Sequence, residues 1–189
     1  MILIVGGAGK FNTIKRYKQD YTFQKIYALE PNIFAVPEVI DDDIVFINKA
    51  ISTENGYARL YTSTNYQSAS LELEKTTGGL TCNKYKIVET IDFPAWLKET
   101  FSLSNILLDM DIEGTEYKVL DAMIENGSIK LIEILTVEYH WNKLSNITIE
   151  DHTKLLNKIK YSGFEFDCNC EGNTITATNM QTWHSMRLK

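Results

Sequence analysis

Cysteine and proline are both scarce in this chain, three of each among 189 residues. Cys82 stands alone, and Cys168 and Cys170 lie two apart, a spacing that puts both on one face of a strand with no second ligand pair for a zinc site. The expectation is reduced cysteines in a cytoplasmic protein rather than a disulfide framework. Lysine and arginine number 19 against 25 aspartates and glutamates, giving a formal charge of -6 and a pI near 5.1. With no run of five basic residues, nucleic acid is not an expected partner. No apolar stretch approaches the roughly 20 residues that span a bilayer, so no membrane partner is expected either. Met1 leads into Ile2–Val5 with no basic segment before it and no small-residue cleavage pattern after it, which reads as a core strand and not a signal peptide. Asn146-Ile147-Thr148 fits a glycosylation sequon and, without a secretory signal, is taken as chance.

What is present is a chain long enough for one domain, residues 1–189, organised around residues 105–141. Ile106, Leu107 and Leu108 form an apolar run that stops at Asp109, Met110 and Asp111, as a buried strand does on reaching a polar edge. Alternation puts Asp109 and Asp111 on one face. Gly114 permits a turn, Tyr117, Leu120, Met123 and Ile124 follow at helical spacing, and Asn126-Gly127 closes the helix. A second apolar run, Ile132 to Val137, ends in Glu138 and His140, again two apart. In a strand, helix, strand unit both strand ends lie on the same side of the sheet, where open α/β sheets bind ligands. Solvation alone accounts for one polar strand end. Asp109, Asp111, Glu138 and His140 converging from two strands point instead to a site.

Before this unit, residues 2–5 run into Gly6-Gly7-Ala8-Gly9, a strand-to-helix turn where backbone can approach a cofactor closely, and a helix from about Thr13 to Asp20 follows. Gln24 to Leu29 reads as a second strand ending at Glu30, an acid placed to accept from both hydroxyls of a bound ribose. Ile44 to Ile51 reads as a third strand, and Asn55-Gly56 as a hairpin turn before Tyr57 to Thr62. Residues 63–84 read as a long loop, the candidate for a lid. Lys86 to Ile91 returns to strand, and Asp92 caps a helix to Phe101 with Pro94 in its first turn. Ile149 to Tyr161 reads as a helix, and Phe164 to Cys170 with Thr174 to Thr178 as a terminal antiparallel hairpin. The fold class is α/β, a doubly wound Rossmann-like sheet of about seven strands.

Asp111-Ile112-Glu113-Gly114-Thr115-Glu116, Val119-Leu120 and Val137-Glu138-Tyr139-His140, in that order, resemble the signature of the FkbM-type S-adenosylmethionine-dependent methyltransferases. Glu30-Pro31-Asn32 is similar to that family's E-P-N, and Asn48-Lys49-Ala50-Ile51-Ser52 to its third strand. Ile4 and Val5 stand where the family has an acid, so the first loop departs from its pattern. The resemblance covers most of residues 2–141. It implies O-methylation of a sugar, glycan or other small-molecule acceptor. S-adenosylmethionine would be bound through Gly6, Gly7, Gly9, Glu30, Ser52 and Asp109, with Asp111, His140 and Glu138 as catalytic groups. A sugar hydroxyl is a poor acid, so either a base or a metal that acidifies it is needed. His140 or Asp111 fits the first role; Asp109, Asp111, Glu138 and His140 could together hold Mg²⁺ or Mn²⁺ in the second. Trp141, Trp183, Tyr61 and Tyr66 are candidates for stacking on sugar rings. Two other readings stay open, a binding protein on this fold without catalysis and a nucleotide-sugar or dinucleotide enzyme.

Overall fold

The computed structural model describes residues 1–62, 68–102, 105–167 and 173–180. Its elements run β1 (Ile2–Gly6), α1 (Asn12–Asp20), β2 (Lys25–Leu29), β3 (Ile44–Ile47), β4 (Ala50–Ser52), β5 (Gly56–Tyr61), β6 (Tyr85–Asp92) and α2 (Phe93–Thr100). There follow β7 (Ile106–Met110), α3 (Glu116–Asn126), β8 (Ile132–Glu138), α4 (Ile149–Tyr161), β9 (Phe164–Phe166) and β10 (Thr174–Asn179). Seven strands form one sheet in the order β3-β2-β1-β7-β8-β10-β9, and β4-β6-β5 form a second. The first five strands of the large sheet are parallel, and β10 runs against both of its neighbours. The order reverses between β1 and β7, which opens a crevice at their carboxyl ends.

Alternation along the central strands fills both faces. Leu3, Val5, Ile26, Ala28 and Leu107 pack with Phe11 and with Ile14 of α1. On the other face Ile4, Ile106, Leu108 and Met110 meet Leu97 of α2, Leu120 and Met123 of α3, and Leu155 and Ile159 of α4. Each such side chain, taken out of water, contributes roughly 1.5 to 3 kcal/mol before chain entropy is set against it. The helix ends follow the chain's own chemistry. Asp92 accepts from the Ala95 N–H to start α2, Gly127 at φ 80° closes α3, and Thr148 and Asp151 form a reciprocal cap at the start of α4.

Two expectations are corrected in the region between β2 and β6. The third strand is not continuous from 44 to 51, because the Asn48 side-chain amide donates to the carbonyls of Glu30 and Pro31 at 2.7 and 3.1 Å. That breaks the run after Ile47, and the chain leaves the large sheet to start β4 in the small one. Nor does Asn55-Gly56 join two paired strands. β6 lies between β4 and β5, parallel to one and antiparallel to the other, and the turn wraps its end: Asn55 Oδ1 accepts from Asp92 N and the Thr90 hydroxyl donates to Glu54 O. The terminal hairpin stands, with its connection at 168–172 outside the described residues.

Candidate active site

At the switch point lies a cavity of about 210 Å³, walled by Gly7, Gly9, Glu30, Ile51, Ser70 and Asp111 among others. Its floor depends on Gly7. At φ 75° that residue sits so close to the next strand end that a Cβ would lie 1.8 Å from the Asp111 carbonyl oxygen. Glu30, at the end of β2, ties two turns together: Oε2 accepts from Gly9 N at 3.1 Å and Oε1 from Asn32 N at 2.8 Å. Burial pushes its carboxyl above the usual range, and the two N–H donors oppose that rise. Each oxygen keeps a lone pair for a further donor.

The polar end is built by the turn from β7 to α3. Glu113 adopts φ 60°, in the left-handed region that a non-glycine residue enters only when its surroundings hold it there. Glu116, the first residue of α3 and fully buried, holds it: Oε1 accepts from Ile112 N at 3.0 Å and Oε2 from Gly114 N at 2.8 Å. The same Oε1 lies 3.0 Å from His140 Nδ1, so the carboxylate also orients the imidazole. The other ring nitrogen, Nε2, faces Glu113 Oε2 at 3.3 Å, Glu138 Oε1 at 3.6 Å and Asp111 Oδ1 at 3.7 Å. Burial, then the carboxylates of Glu138 and Glu113, push Asp111 up to about 7, with His140 pulling the other way. For His140 burial favours the neutral ring, but Glu116 and then Glu113 and Asp111 outweigh it and raise its pKa above that of ordinary imidazole.

A strap, residues 68–76, closes one side. Ala69, Ser70 and Leu71 line the cavity, and the Ser70 hydroxyl donates to the Glu113 carbonyl at 2.6 Å. Backbone bonds join Ser70 to Tyr61, Thr76 N to Lys143 O and Ser145 N to Glu74 O. Lys118 of α3 reaches both oxygens of Glu72 at 2.7 and 2.9 Å. Lys75, 2% exposed along its side chain, places its ammonium on Glu113 Oε2 and donates to the Ser68 carbonyl. Residues 63–67 of the expected loop lie outside the described residues.

Of the residues singled out in the sequence, Gly7, Gly9, Glu30 and Asp111 line the cavity, and Asp111, Glu138 and His140 meet at its polar end. Gly6 and Ser52 are outside its wall; the side-chain position of Gly6 is occupied by Ile51 Cδ1. Asp109 is held behind the sheet edge, accepting from the Tyr17 hydroxyl at 2.8 Å, with burial raising its pKa against that bond. Among the described residues the set that comes within ligand distance of one ion is Asp111, Glu113 and His140, where the strand ends suggest Asp109, Asp111, Glu138 and His140. Trp141 stacks on His152 and Tyr61 leans on Tyr85, while Trp183 and Tyr66 lie outside the described residues. Glu113, Glu116, Ser70 and Lys75 escaped sequence reasoning. The first two stand in the Asp111–Glu116 motif and were visible there; nothing local marks Ser70 or Lys75.

No helix among the described residues is long and apolar enough to cross a membrane. No curated protein matches the chain. Among solved structures, a precorrin-6y C5,15-methyltransferase from Geobacter metallireducens GS-15 is similar at 10% identity and a TM-score of 0.43, with 94% of this chain and 80% of that one covered. The family pattern of the methyltransferase FkbM domain matches residues 8–166, a span from the glycine turn to β9. The chain belongs to the FkbM family of S-adenosylmethionine-dependent methyltransferases.

Proposed function

We propose that this chain is an O-methyltransferase whose acceptor is a hydroxyl of a sugar, a glycan or another small molecule. The observation that carries the reading is a single cavity with Glu30 and the glycine turn in its wall and Asp111 at the edge of an acidic group around His140. The cavity residues fit S-adenosylmethionine. Gly7 and Gly9 bring bare backbone to the wall, and Glu30 retains acceptor capacity for two ribose hydroxyls while two N–H groups fix its carboxylate. Bound there, S-adenosylmethionine supplies a methyl carbon on a good leaving group. The chain's own tasks are then to align the acceptor oxygen and to take its proton. Asp111, Glu138 and His140 form the group that receives it, and Glu116 keeps the imidazole in place behind them.

The test is transfer of label from methyl-labelled S-adenosylmethionine to a panel of sugars, oligosaccharides and phenols. Label in an alkali-stable ether of one acceptor class is the expected result. His140→Ala and Asp111→Ala should each slow that transfer by about 10² to 10⁴ while leaving S-adenosylhomocysteine binding nearly intact. Full turnover by both variants would remove the catalytic assignment, and label appearing only in amines or thiols would remove the oxygen acceptor.

A further inference from the structure

Two buried atoms at the polar end of the cavity face each other without a hydrogen-bond partner, His140 Nε2 and Asp111 Oδ1. His140 is fully buried, so leaving a ring nitrogen unsatisfied is costly unless something else takes it. Its Nδ1 is engaged by Glu116, an arrangement that leaves the lone pair of the neutral ring on Nε2. Glu113 Oε2 lies 3.3 Å from Nε2, and one donor atom from each of Asp111, Glu113 and His140 falls within 4.8 Å of the other two. An octahedral ion with bonds of about 2.1 Å sets adjacent ligand atoms about 3 Å apart and opposite ones about 4.2 Å apart, so these three atoms already stand near ligand separations.

Charge points the same way. Asp111, Glu113, Glu116 and Glu138 crowd around one imidazole, with Lys75 on Glu113 and Lys143 3.6 Å from Glu138. Coordination through Nε2 requires the neutral ring, and carboxylates with one imidazole suit Mn²⁺ and Mg²⁺.

We propose that Asp111, Glu113 and His140 Nε2 are the protein ligands of a divalent cation, and that this cation competes with the Lys75 ammonium for Glu113. The competition follows from one atom, because the oxygen of Glu113 that faces His140 is also the one Lys75 holds. Once a cation takes that oxygen, a buried ammonium loses its carboxylate and the strap loses a tie to the turn below it. Three protein ligands leave an octahedral ion three further positions, enough for two neighbouring hydroxyls of a sugar; with the ion bound, Asp111 and His140 would be engaged as ligands, and Glu138, the member of the acidic group outside the ligand set, would take the hydroxyl proton. The proposal deepens the O-methyltransferase reading and rests on it for the identity of those hydroxyls; the cation site itself does not.

The experiment is a titration of the full chain with Mn²⁺ alone, at about pH 8 so that the ligands are deprotonated, following free Mn²⁺ by its electron spin resonance signal. One site is expected in the wild-type chain or in Lys75→Met. Affinity should fall at least about tenfold in Glu113→Gln and His140→Ala, and should rise in Lys75→Met. In the unsubstituted chain Mn²⁺ should also speed amide exchange at residues 70–76, a readout that no misfolded variant can spoil. No Mn²⁺ retained by either wild type or Lys75→Met would overturn the site, as would affinity unchanged in both Glu113→Gln and His140→Ala. Equal affinity in wild type and Lys75→Met, with the strap's exchange unaltered, would overturn the competition. Neither S-adenosylmethionine nor an acceptor is present, so failure of S-adenosylhomocysteine to bind in a separate titration would strike the methyltransferase reading and leave this result standing.

Discussion

Single side chains decide binding and pH response in this molecule. Glu30 is poised by Gly9 and Asn32, and its replacement by glutamine keeps the side-chain size but leaves one neutral acceptor oxygen and turns an NH2 donor toward one of those two backbone N–H groups. S-adenosylhomocysteine affinity should then drop by roughly 1.5 to 3 kcal/mol, about ten- to a hundredfold, as read by calorimetry. Equal affinity would mean that Glu30 serves only the two turns. His152 is a separate case, enclosed by Tyr117, Tyr139 and Trp141 with its Nδ1 3.1 Å from the Tyr117 hydroxyl. Burial holds it below the ordinary imidazole range. The unfolded chain therefore takes up that proton first, and the stability due to His152 is present above about pH 6.5 and lost as pH falls through the folded value. Denaturation at about pH 7 and pH 5.5 should show wild type losing ground to His152→Phe at the lower pH; a constant gap between them would assign the acid sensitivity elsewhere.

Among the elements, those governed by local chemistry were legible and those governed by distant partners were not. The helix from Ile149 to Tyr161 has in the structure the bounds its spacing predicts, because its caps and apolar stripe lie within its own residues. The split of β3 from β4 depends on Asn48 reaching back to Glu30, and the interposed β6 comes from some thirty residues further on. Alternation put Asp109 and Asp111 together. β7 ends at Met110, however, so Asp111 belongs to the turn and reaches the cavity while Asp109 stays with Tyr17. The strap shows the same limit, since a stretch rich in serine, threonine and glycine gives no sign that Ser70 and Lys75 both find Glu113. Ser70→Ala leaves the Glu113 carbonyl and the Glu72 N–H without that hydroxyl. Losing those two bonds should weaken local closure by about 1 to 3 kcal/mol, visible as faster amide exchange at 70–76 with α4 unchanged. Exchange equally slow in the variant would show that the backbone bonds to Tyr61, Lys143 and Ser145 suffice.

At the scale of the whole molecule, the buried apolar runs mark β1, β7 and β8 as central strands, and the sequence expresses the fold class but not the strand order. The residues of the first family motif that depart from the pattern, Ile4 and Val5, are simply core: both are buried against opposite faces of the sheet. The pairing of β1 with β7, from Ile2 beside Ile106 to Gly6 beside Met110, joins segments about a hundred residues apart. On a ribosome adding about 5 to 20 residues per second, one edge of β1 stays without its partner for roughly 5 to 20 s after it has emerged. Leu3, Ile4 and Val5 are then an apolar strand with an open side, the kind of segment that holdase chaperones and other nascent chains capture. The pairing that later shapes the cavity thus leaves an apolar strand edge open to such capture until β7 is made.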